Sequence, residues 1–398
     1  MSEPVTREAR LRATWRRWFV VDVLPFWQAH GFDPVSSLAY ERLHPDGRPD
    51  ARAPLRVRTQ ARQVHAFALA WRLGLVRHGR EQALATLWAL AERAWSPDGR
   101  PGWVHVLHPD GQVADPRRDL YDHAFVLLML ASVARITDEP FVDAWIDRSL
   151  TEIDVVFAAA HGGYAETDQG GLPRRQNPHM HLLEALLALF EAKGEPRFLA
   201  RAAELFALFE TRFFDQHAGV LREFFAADWG WLDDGRSDWL EPGHLVEWVW
   251  LLDRYERASG RPTAALRARL LTAGVALGRH DDADGFLVDE VDGRGVRRSE
   301  ARRLWTQTEY LKALVVQART GDVARWAEAS ALSERLFRTY LDGIPAGTWR
   351  DRFTATGAPS GDHIPASTLY HLLGVFEELD RSPVAGHAPE RPFLRSRP

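Results

Sequence analysis

Six side chains able to move or stabilise a proton recur along this 398-residue sequence at nearly one interval. Arg62, Tyr121, His181, His244, Glu309 and His371 are spaced by 59, 60, 63, 65 and 62 residues, and Trp305 lies one helical turn before Glu309. Two of the histidines have a glutamate three residues on, in His181-Leu182-Leu183-Glu184 and His244-Leu245-Val246-Glu247. On a helix that spacing shares one face, and a carboxylate so placed fixes the imidazole tautomer and raises its basicity. Proton transfer next to a carbonyl suits this set. An imidazole titrates near neutral pH, so it can take a proton from C2 of an open-chain aldose and return one. The enediolate formed carries negative charge on oxygen, which the Arg62 guanidinium would stabilise in a water-poor cavity. A second histidine can protonate the ring oxygen to open the sugar. Tyr121, Asn177, His181, Glu184 and Glu309 are the expected partners of the sugar hydroxyls, and Trp305 or Trp349 would pack on the apolar sugar face.

Other chemistries use similar residues. Three histidines with several carboxylates could hold a divalent metal, but an arginine among the candidates repels a cation, so no metal is expected. Glycoside hydrolysis needs two carboxyl groups flanking the scissile bond. Here Glu184 and Glu247 are assigned to histidines, which leaves Glu309 and Asp351. A non-enzymatic helical-repeat scaffold predicts no convergence of polar groups, and the shared interval counts against it.

The interval points to the elements that carry these residues. Apolar positions at 3–4-residue spacing predict helices over Gln60–Gly74, Leu120–Ile136, Val142–Ala158, His179–Ala192, Arg197–Phe213, His244–Ala258, Ala264–Leu277, Thr306–Ala318, Arg325–Tyr340 and Ser367–Leu379. Turn residues followed by short alternating segments recur at Ser37, Gly102, Gly163, Gly219, Gly285 and Gly347, at intervals of 65, 61, 56, 66 and 62, and read as β-hairpins. A repeat near 60 residues holds two helices and one hairpin. Six such units predict an all-α fold, a single (α/α)6 barrel of six helical hairpins over 1–381 with short β-hairpin loops at one end, followed by a tail over 382–398. Equivalent positions of a cyclic repeat then meet at one end of the barrel axis.

Bulk composition agrees. Hydrophobic residues make up 45% and charged residues 26% of the chain, an ordinary globular balance. A net charge of −5 argues against a nucleic-acid partner, and no apolar run reaches the roughly 20 residues that span a bilayer. With no cysteine and a charged amino-terminal segment, a cytoplasmic enzyme is expected. The expected partner is a monosaccharide, and the expected assembly a monomer or homodimer. His44, His78, His108, His161, His217, His280 and His387 fall outside the register and read as surface residues. His65, His123 and His179 read as packing residues near the site.

Taken in order, Gln60-Ala61-Arg62, Tyr121-Asp122-His123-Ala124-Phe125, Asn177-Pro178-His179-Met180-His181-Leu182-Leu183-Glu184, Gly243-His244-Leu245-Val246-Glu247-Trp248, Trp305-Thr306-Gln307-Thr308-Glu309 and Tyr370-His371 resemble the motifs of the N-acylglucosamine 2-epimerase superfamily. That group includes N-acylglucosamine and cellobiose 2-epimerases and bacterial mannose isomerases. The resemblance implies that His244 and His371 are the acid/base pair, that Arg62 stabilises the enediolate, that Asn177 and His181 contact substrate, and that no metal or redox cofactor is needed. Glu247-Trp248 is more similar to the mannose isomerases, where cellobiose epimerases carry a small residue. The implied reaction is interconversion of mannose and fructose, and of lyxose and xylulose, with 2-epimerisation of glucose/mannose, cellobiose or an N-acylglucosamine as the alternative.

Overall fold

A computed structural model of the chain describes residues 6–279, 285–342 and 344–381. The expected tail, His280 and His387 lie outside them. Among the described residues, helices α1 (Arg7–Trp18) and α2 (Leu24–His30) precede α3 (Val57–Arg72). Five further pairs follow: α4 (Gly79–Ala94) with α5 (Leu120–Val133), α6 (Pro140–Val156) with α7 (Gln176–Lys193), α8 (Pro196–Leu208) with α9 (Pro242–Ser259), α10 (Ala264–Gly278) with α11 (Leu304–Arg319), and α12 (Arg325–Leu336) with α13 (Thr368–Asp380). The fold is an (α/α)6 barrel.

Burial separates the two shells. Outer helix α8 buries Phe198, Ala202, Leu205 and Phe206, a single stripe. Inner helix α9 buries every residue from Pro242 to Tyr255, and α7 every residue from Pro178 to Leu189. A helix enclosed on all sides reads as apolar throughout, which is why the inner helices stood out in the sequence. Helices α1, α2 and α4 did not: α1 carries Arg7, Arg10, Arg12, Arg16 and Arg17 around a buried stripe of Leu11, Trp15 and Trp18.

Short strands tie the units into a ring. The segment entering each inner helix pairs with the hairpin of the next unit: β2 (Leu55–Arg56) with β3 (Val106–Leu107), β5 (Arg174–Arg175) with β8 (Phe224–Phe225), β9 (Trp239–Leu240) with β10 (Glu290–Asp292), and β12 (Arg302–Arg303) with β13 (Arg352–Phe353). A bridge from Asp119 to Thr167 replaces the strand pair in the second unit. The last segment, β14 (Ile364–Pro365), pairs with β1 (Arg42–Leu43) and closes the circle. The hairpins expected from the sequence are therefore only partly local. Strands β3 and β4 (Val113–Asp115), β6 (Phe214–Asp215) and β7 (Val220–Leu221), and β10 and β11 (Arg297–Ser299) pair within a unit, and the other pairings run between units.

The recurrent turn residues are explained by backbone geometry. Ser37, Gly102, Gly163, Gly219, Gly285 and Gly347 all have φ between 60° and 95°, a region that L side chains enter at a cost. A Cβ on Gly347 would lie 2.4 Å from the Asp22 carbonyl oxygen. After the turn, a side chain of the inner helix receives a hairpin N–H: Ala39 donates to Gln60 Oε1, Trp103 to His123 Nε2, Tyr164 to His179 Nε2 and Leu287 to Gln307 Oε1. His123 and His179 thus serve the scaffold. Each Nδ1 lies in hydrogen-bond range of its own helix's carbonyl, at Asp119 and Arg175, and burial lowers their pKa to about 4 and about 3. His44, His78, His108, His161 and His217 are exposed, as expected.

Because every inner helix starts at the ring, all six run parallel, with their amino-terminal ends at the ring. Their carboxyl-terminal ends carry partly buried ion pairs, such as Arg254–Glu191 at 2.7 Å, Arg72–Glu377 at 2.8 Å and Arg319–Asp253 at 2.7 Å. One expectation fails here. Trp349 does not line the barrel interior. It is fully buried and stacks on Trp27 of α2, centroids 4.8 Å apart and planes 12° apart. Its partner belongs to the helices that the sequence pattern did not announce. Trp349→Ala should therefore cost ~3–5 kcal/mol of stability in chemical denaturation; unchanged stability with a raised sugar KM would restore it to the site.

Candidate active site

The ring places one residue of each hairpin beside the start of the preceding inner helix. Val57, Leu120, Gln176, Leu304 and Ala366 donate N–H to the carbonyls of His105, Glu166, Glu223, Asp351 and Glu41. At the remaining junction, the fourth along the chain, stands Pro242, which has no N–H to give. Three of the side chains at these places close a clamp on the residue preceding their own inner helix. Glu41 accepts the Arg56 N–H at 3.0 Å and its guanidinium, Glu166 accepts the N–H and Nε of Arg175 at 2.7 and 2.6 Å, and Asp289 those of Arg303 at 2.9 and 2.8 Å. In the fourth unit the clamping position is not arginine but Glu241, so Glu223 has no guanidinium to hold. It takes instead His244 Nδ1 at 3.0 Å and Gln176 Nε2 at 3.0 Å. Gln176 in turn accepts Trp248 Nε1 at 2.9 Å.

This corrects the pairing expected from G-H-x-x-E. His244 is oriented by Glu223, from a loop 21 residues upstream, and not by Glu247. Glu247 points further in, where its oxygens lie within 4.8 Å of ligand atoms of Glu309 and His371. Trp248, stacked on Phe209 at 4.1 Å, ends the relay to His244 rather than walling the cavity. Sequence spacing could find i,i+3 neighbours but not a partner delivered by the ring. The other expected pair stands: His181 Nδ1 lies 3.0 Å from Glu184 Oε2, which also accepts Tyr370 Oη at 2.6 Å. His371 Nδ1 lies 2.7 Å from Glu309 Oε1.

The remaining expected residues gather around these. Trp305 lies between the outer two histidines, its ring 5.2 Å from His244 and 5.6 Å from His371. It packs so close to α9 that a Cβ on Gly243 would lie 2.6 Å from the indole, which explains the glycine of that motif. Arg62 donates to Tyr121 Oη at 2.8 Å and lies 4.0 Å over Phe125; its buried Nε meets no acceptor. Tyr121 edges onto His181 at 5.1 Å. Asn177 shares a cleft of ≈ 710 Å³ with Arg62 and Tyr121, and its buried Oδ1 has no donor. His65 stays apart, against Ser132 at 2.7 Å. His105, which spacing did not single out, lies 2.6 Å from Asp122, and Arg58 lies 3.0 Å from the same carboxylate. Asp351 accepts Thr368 Oγ1 at 3.2 Å and sits at the ring, so it does not form the facing carboxyl pair of a hydrolase with Glu309.

Burial and charge set these groups in opposite states. Burial would discharge His244, but Glu223 and Glu241 outweigh it and push its pKa up to about 10. For His371 burial prevails over Glu309, with Arg62 and Lys312 adding to it, and the pKa falls to about 4. His181 likewise falls to about 4. Burial beside Glu309 raises Glu247 well above the usual carboxylate range. Despite its burial, Glu309 is lowered by Lys312 and His371, and it accepts Lys312 Nζ at 2.6 Å and Trp250 Nε1 at 2.9 Å.

Among the described residues, three groups have enough donors for a metal: His105, Asp119 and Asp122; Glu223, Glu241 and His244; and Glu247, Glu309 and His371. A cation at the last would displace the Lys312 ammonium from Glu309, and one at the first would face Arg58. One at the second would have to displace the proton of His244, whose Nδ1 faces Glu223. At neutral pH the arrangement therefore offers a buried imidazolium (His244) and a buried neutral imidazole (His371) on either side of one indole, with the raised carboxyl of Glu247 close to His371.

Similarity to known proteins agrees with this geometry. A sequence profile of N-acylglucosamine 2-epimerase (GlcNAc 2-epimerase) matches residues 39–375. A mannose-6-phosphate isomerase of Rhizobium meliloti is 34% identical over 373 residues, covering 91% of this chain and 95% of the relative. A D-mannose isomerase of Thermobifida fusca is 29% identical, covering 82% and 84%. Among solved structures, a D-mannose isomerase superposes with TM-score 0.83 at 21% identity over 96% of this chain and 100% of that one. The cellobiose 2-epimerase of Bacillus thermoamylovorans does so at 0.82 and 21%, over 94% and 99%. The chain belongs to the N-acylglucosamine 2-epimerase family of sugar isomerases and epimerases.

Proposed function

We propose that the chain is a metal-independent aldose–ketose isomerase that interconverts mannose-type aldoses and the matching 2-ketose, D-mannose and D-fructose being the parent pair. One observation carries this reading: two buried histidines flank one indole in opposite protonation states. Names among relatives support it, since the T. fusca protein is a D-mannose isomerase and the R. meliloti protein a mannose-6-phosphate isomerase.

The chemistry follows from those states. His244 carries a proton on Nε2 while Nδ1–H is held by Glu223, so it protonates the ring oxygen as the C1–O5 bond breaks and takes up the O1 hydroxyl proton, which opens the sugar and restores the imidazolium. His371, with Nδ1–H directed at Glu309, has its Nε2 lone pair free and removes the C2 proton. The electron pair moves into the C1–C2 bond and then onto O1, giving a cis-enediolate. Arg62 and Tyr121 face the developing oxyanion, and the six helix amino-termini converging on this end add positive potential. Glu247, whose carboxyl is raised well above the usual range by burial beside Glu309, lies close to His371 at the same place. The imidazolium of His371 then returns its proton to C1 as the O2 proton passes to O1, which leaves O2 as the ketone and O1 as a hydroxyl. Return to the opposite face of C2 would give the epimer. A single base serving C1 and C2 from one side gives the ketose, and the isomerase names among relatives favour that course.

In deuterated water, mannose should yield fructose, with deuterium at C1 to the extent that the His371 proton exchanges with solvent before its return, at a rate unaffected by EDTA. Accumulation of glucose with deuterium at C2 and no ketose would support the epimerase instead, and loss of turnover with chelator would bring back the metal. The pH profile of kcat/KM should be a broad bell. His371 must be neutral, so activity falls as pH drops through about 4; His244 must be charged, so activity falls as pH rises through about 10. Removing the anion in Glu223→Gln should draw the alkaline limb down by ~1–2 pH units while the acid limb holds. An alkaline limb that does not move would remove Glu223 from its role.

A further inference from the structure

An aldose–ketose exchange moves two protons. His371 carries one from C2 to C1; the other must leave O2 and reach O1 before the carbonyl changes place. A charged His244 has no lone pair for that transfer, and His371 is holding the carbon proton. Hydrogen-bond accounting finds a free lone pair at His181. Its Nδ1 lies 3.0 Å from Glu184 Oε2, and the same oxygen receives the single proton of Tyr370 Oη at 2.6 Å. Glu184 is ionised: despite its burial, His181 and Tyr370 hold its pKa down at about 2. An ionised carboxylate only accepts, so the proton of the His181–Glu184 bond sits on Nδ1. Burial lowers His181 itself to about 4 and keeps it neutral at neutral pH. A neutral imidazole has one N–H, which leaves Nε2 a bare lone pair. In His123 and His179 the same atom takes a hairpin N–H; among the described residues no donor is hydrogen-bonded to Nε2 of His181.

The His181 ring also lies among the groups that face the developing oxyanion. It packs 5.1 Å from Tyr121 and 4.6 Å from Phe125. Arg62 donates to Tyr121 Oη, lies over Phe125, and stands 5.1 Å from the centre of the Tyr370 ring. Tyr370 in turn packs against both imidazoles, 6.2 Å from His181 and 4.7 Å from His371. We propose that His181 is a catalytic residue of the exchange, the carrier that takes the proton from O2 of the enediolate and delivers it to O1; this rests on the isomerase reading. The O2–H bond breaks as Nε2–H forms, then Nε2–H breaks as O1–H forms, and the imidazole ends neutral. O2 closes to the ketone as the C1–C2 electron pair takes up the His371 proton at C1. Ionised Glu184 offsets the positive charge that His181 holds in between, and Tyr370 acts through Glu184 as a positioning residue.

His181→Gln keeps a hydrogen-bonding side chain that cannot carry a proton. Its kcat for mannose should fall by ~100-fold, while its calorimetric affinity for mannitol, which cannot isomerise, holds. Isotope effects separate this role from that of His371. In the variant the primary effect with mannose deuterated at C2 should shrink and the solvent effect of deuterated water should grow, because transfer between the oxygens has become the slow step. A loss carried by KM and mannitol affinity makes His181 a hydroxyl contact alone, and a loss of kcat with an undiminished primary effect moves it to the C2 step; either overturns the proposal, as does a normal kcat. Tyr370→Phe keeps the imidazole and changes its charge balance. With one donor fewer, Glu184 draws harder on the His181 proton, so the pKa of His181 rises and the acid limb of kcat moves up from about 4. An unmoved acid limb contradicts the proposal. Wild-type protein that epimerises mannose and forms no ketose sinks the isomerase and the carrier with it. Ketose formed by the wild type and equally by His181→Gln sinks the carrier alone.

Discussion

The pairing of β14 with β1 is the constraint the site inherits. Six helical hairpins joined in a line would present their inner-helix starts along a curved edge. Closing the line puts those starts around one axis, so that residues up to 309 positions apart, Arg62 and His371, share a cavity. The links are short: two-residue strands, one bridge and single N–H donations to neighbouring carbonyls. Their strength is collective, since each is shielded by buried helices and repeated around the ring.

The same ring decides which ionisable groups are free to act. Most hairpin carboxylates are clamped on an arginine that precedes an inner helix, an arrangement that neutralises both in low dielectric. Where that arginine is replaced by Glu241, the carboxylate of Glu223 turns to His244 and keeps it charged. One exchange in a structural repeat thus frees a carboxylate to raise a buried histidine. On the far side of Trp305, His371 has a comparable carboxylate neighbour in Glu309, but Lys312 and Trp250 share that carboxylate, and the imidazole stays neutral. Two histidines with similar partners acquire opposite roles because their carboxylates have different second partners.

Much of this could be read before any coordinates. The interval near 60 residues gave the six units, and the polar residues sharing it gave Arg62, Tyr121, His181, His244, Glu309 and His371, which the fold brings together. Periodicity worked for inner helices because full enclosure makes them apolar on every face. It missed α1 and α2, whose arginine-rich outer surface hides a narrow stripe, and so misplaced Trp349, which packs on Trp27. It also assigned Glu247 to His244, because an i,i+3 neighbour is visible in sequence whereas a loop residue delivered by cross-unit pairing is not. The signal for Glu223 was present in principle: at positions 41, 166, 223, 289 and 351 the hairpins carry an acidic residue, and the fourth and sixth units lack the arginine that clamps the other three.

The central claim is that His244 and His371 sit on opposite sides of neutrality in the resting protein. Nitrogen-15 spectra of histidine-labelled protein at pH 7, with the two residues assigned through His244→Gln and His371→Gln, read this directly. The account predicts two protonated ring nitrogens at His244 and a single proton, on Nδ1, at His371. A neutral His244 or a doubly protonated His371 would contradict it.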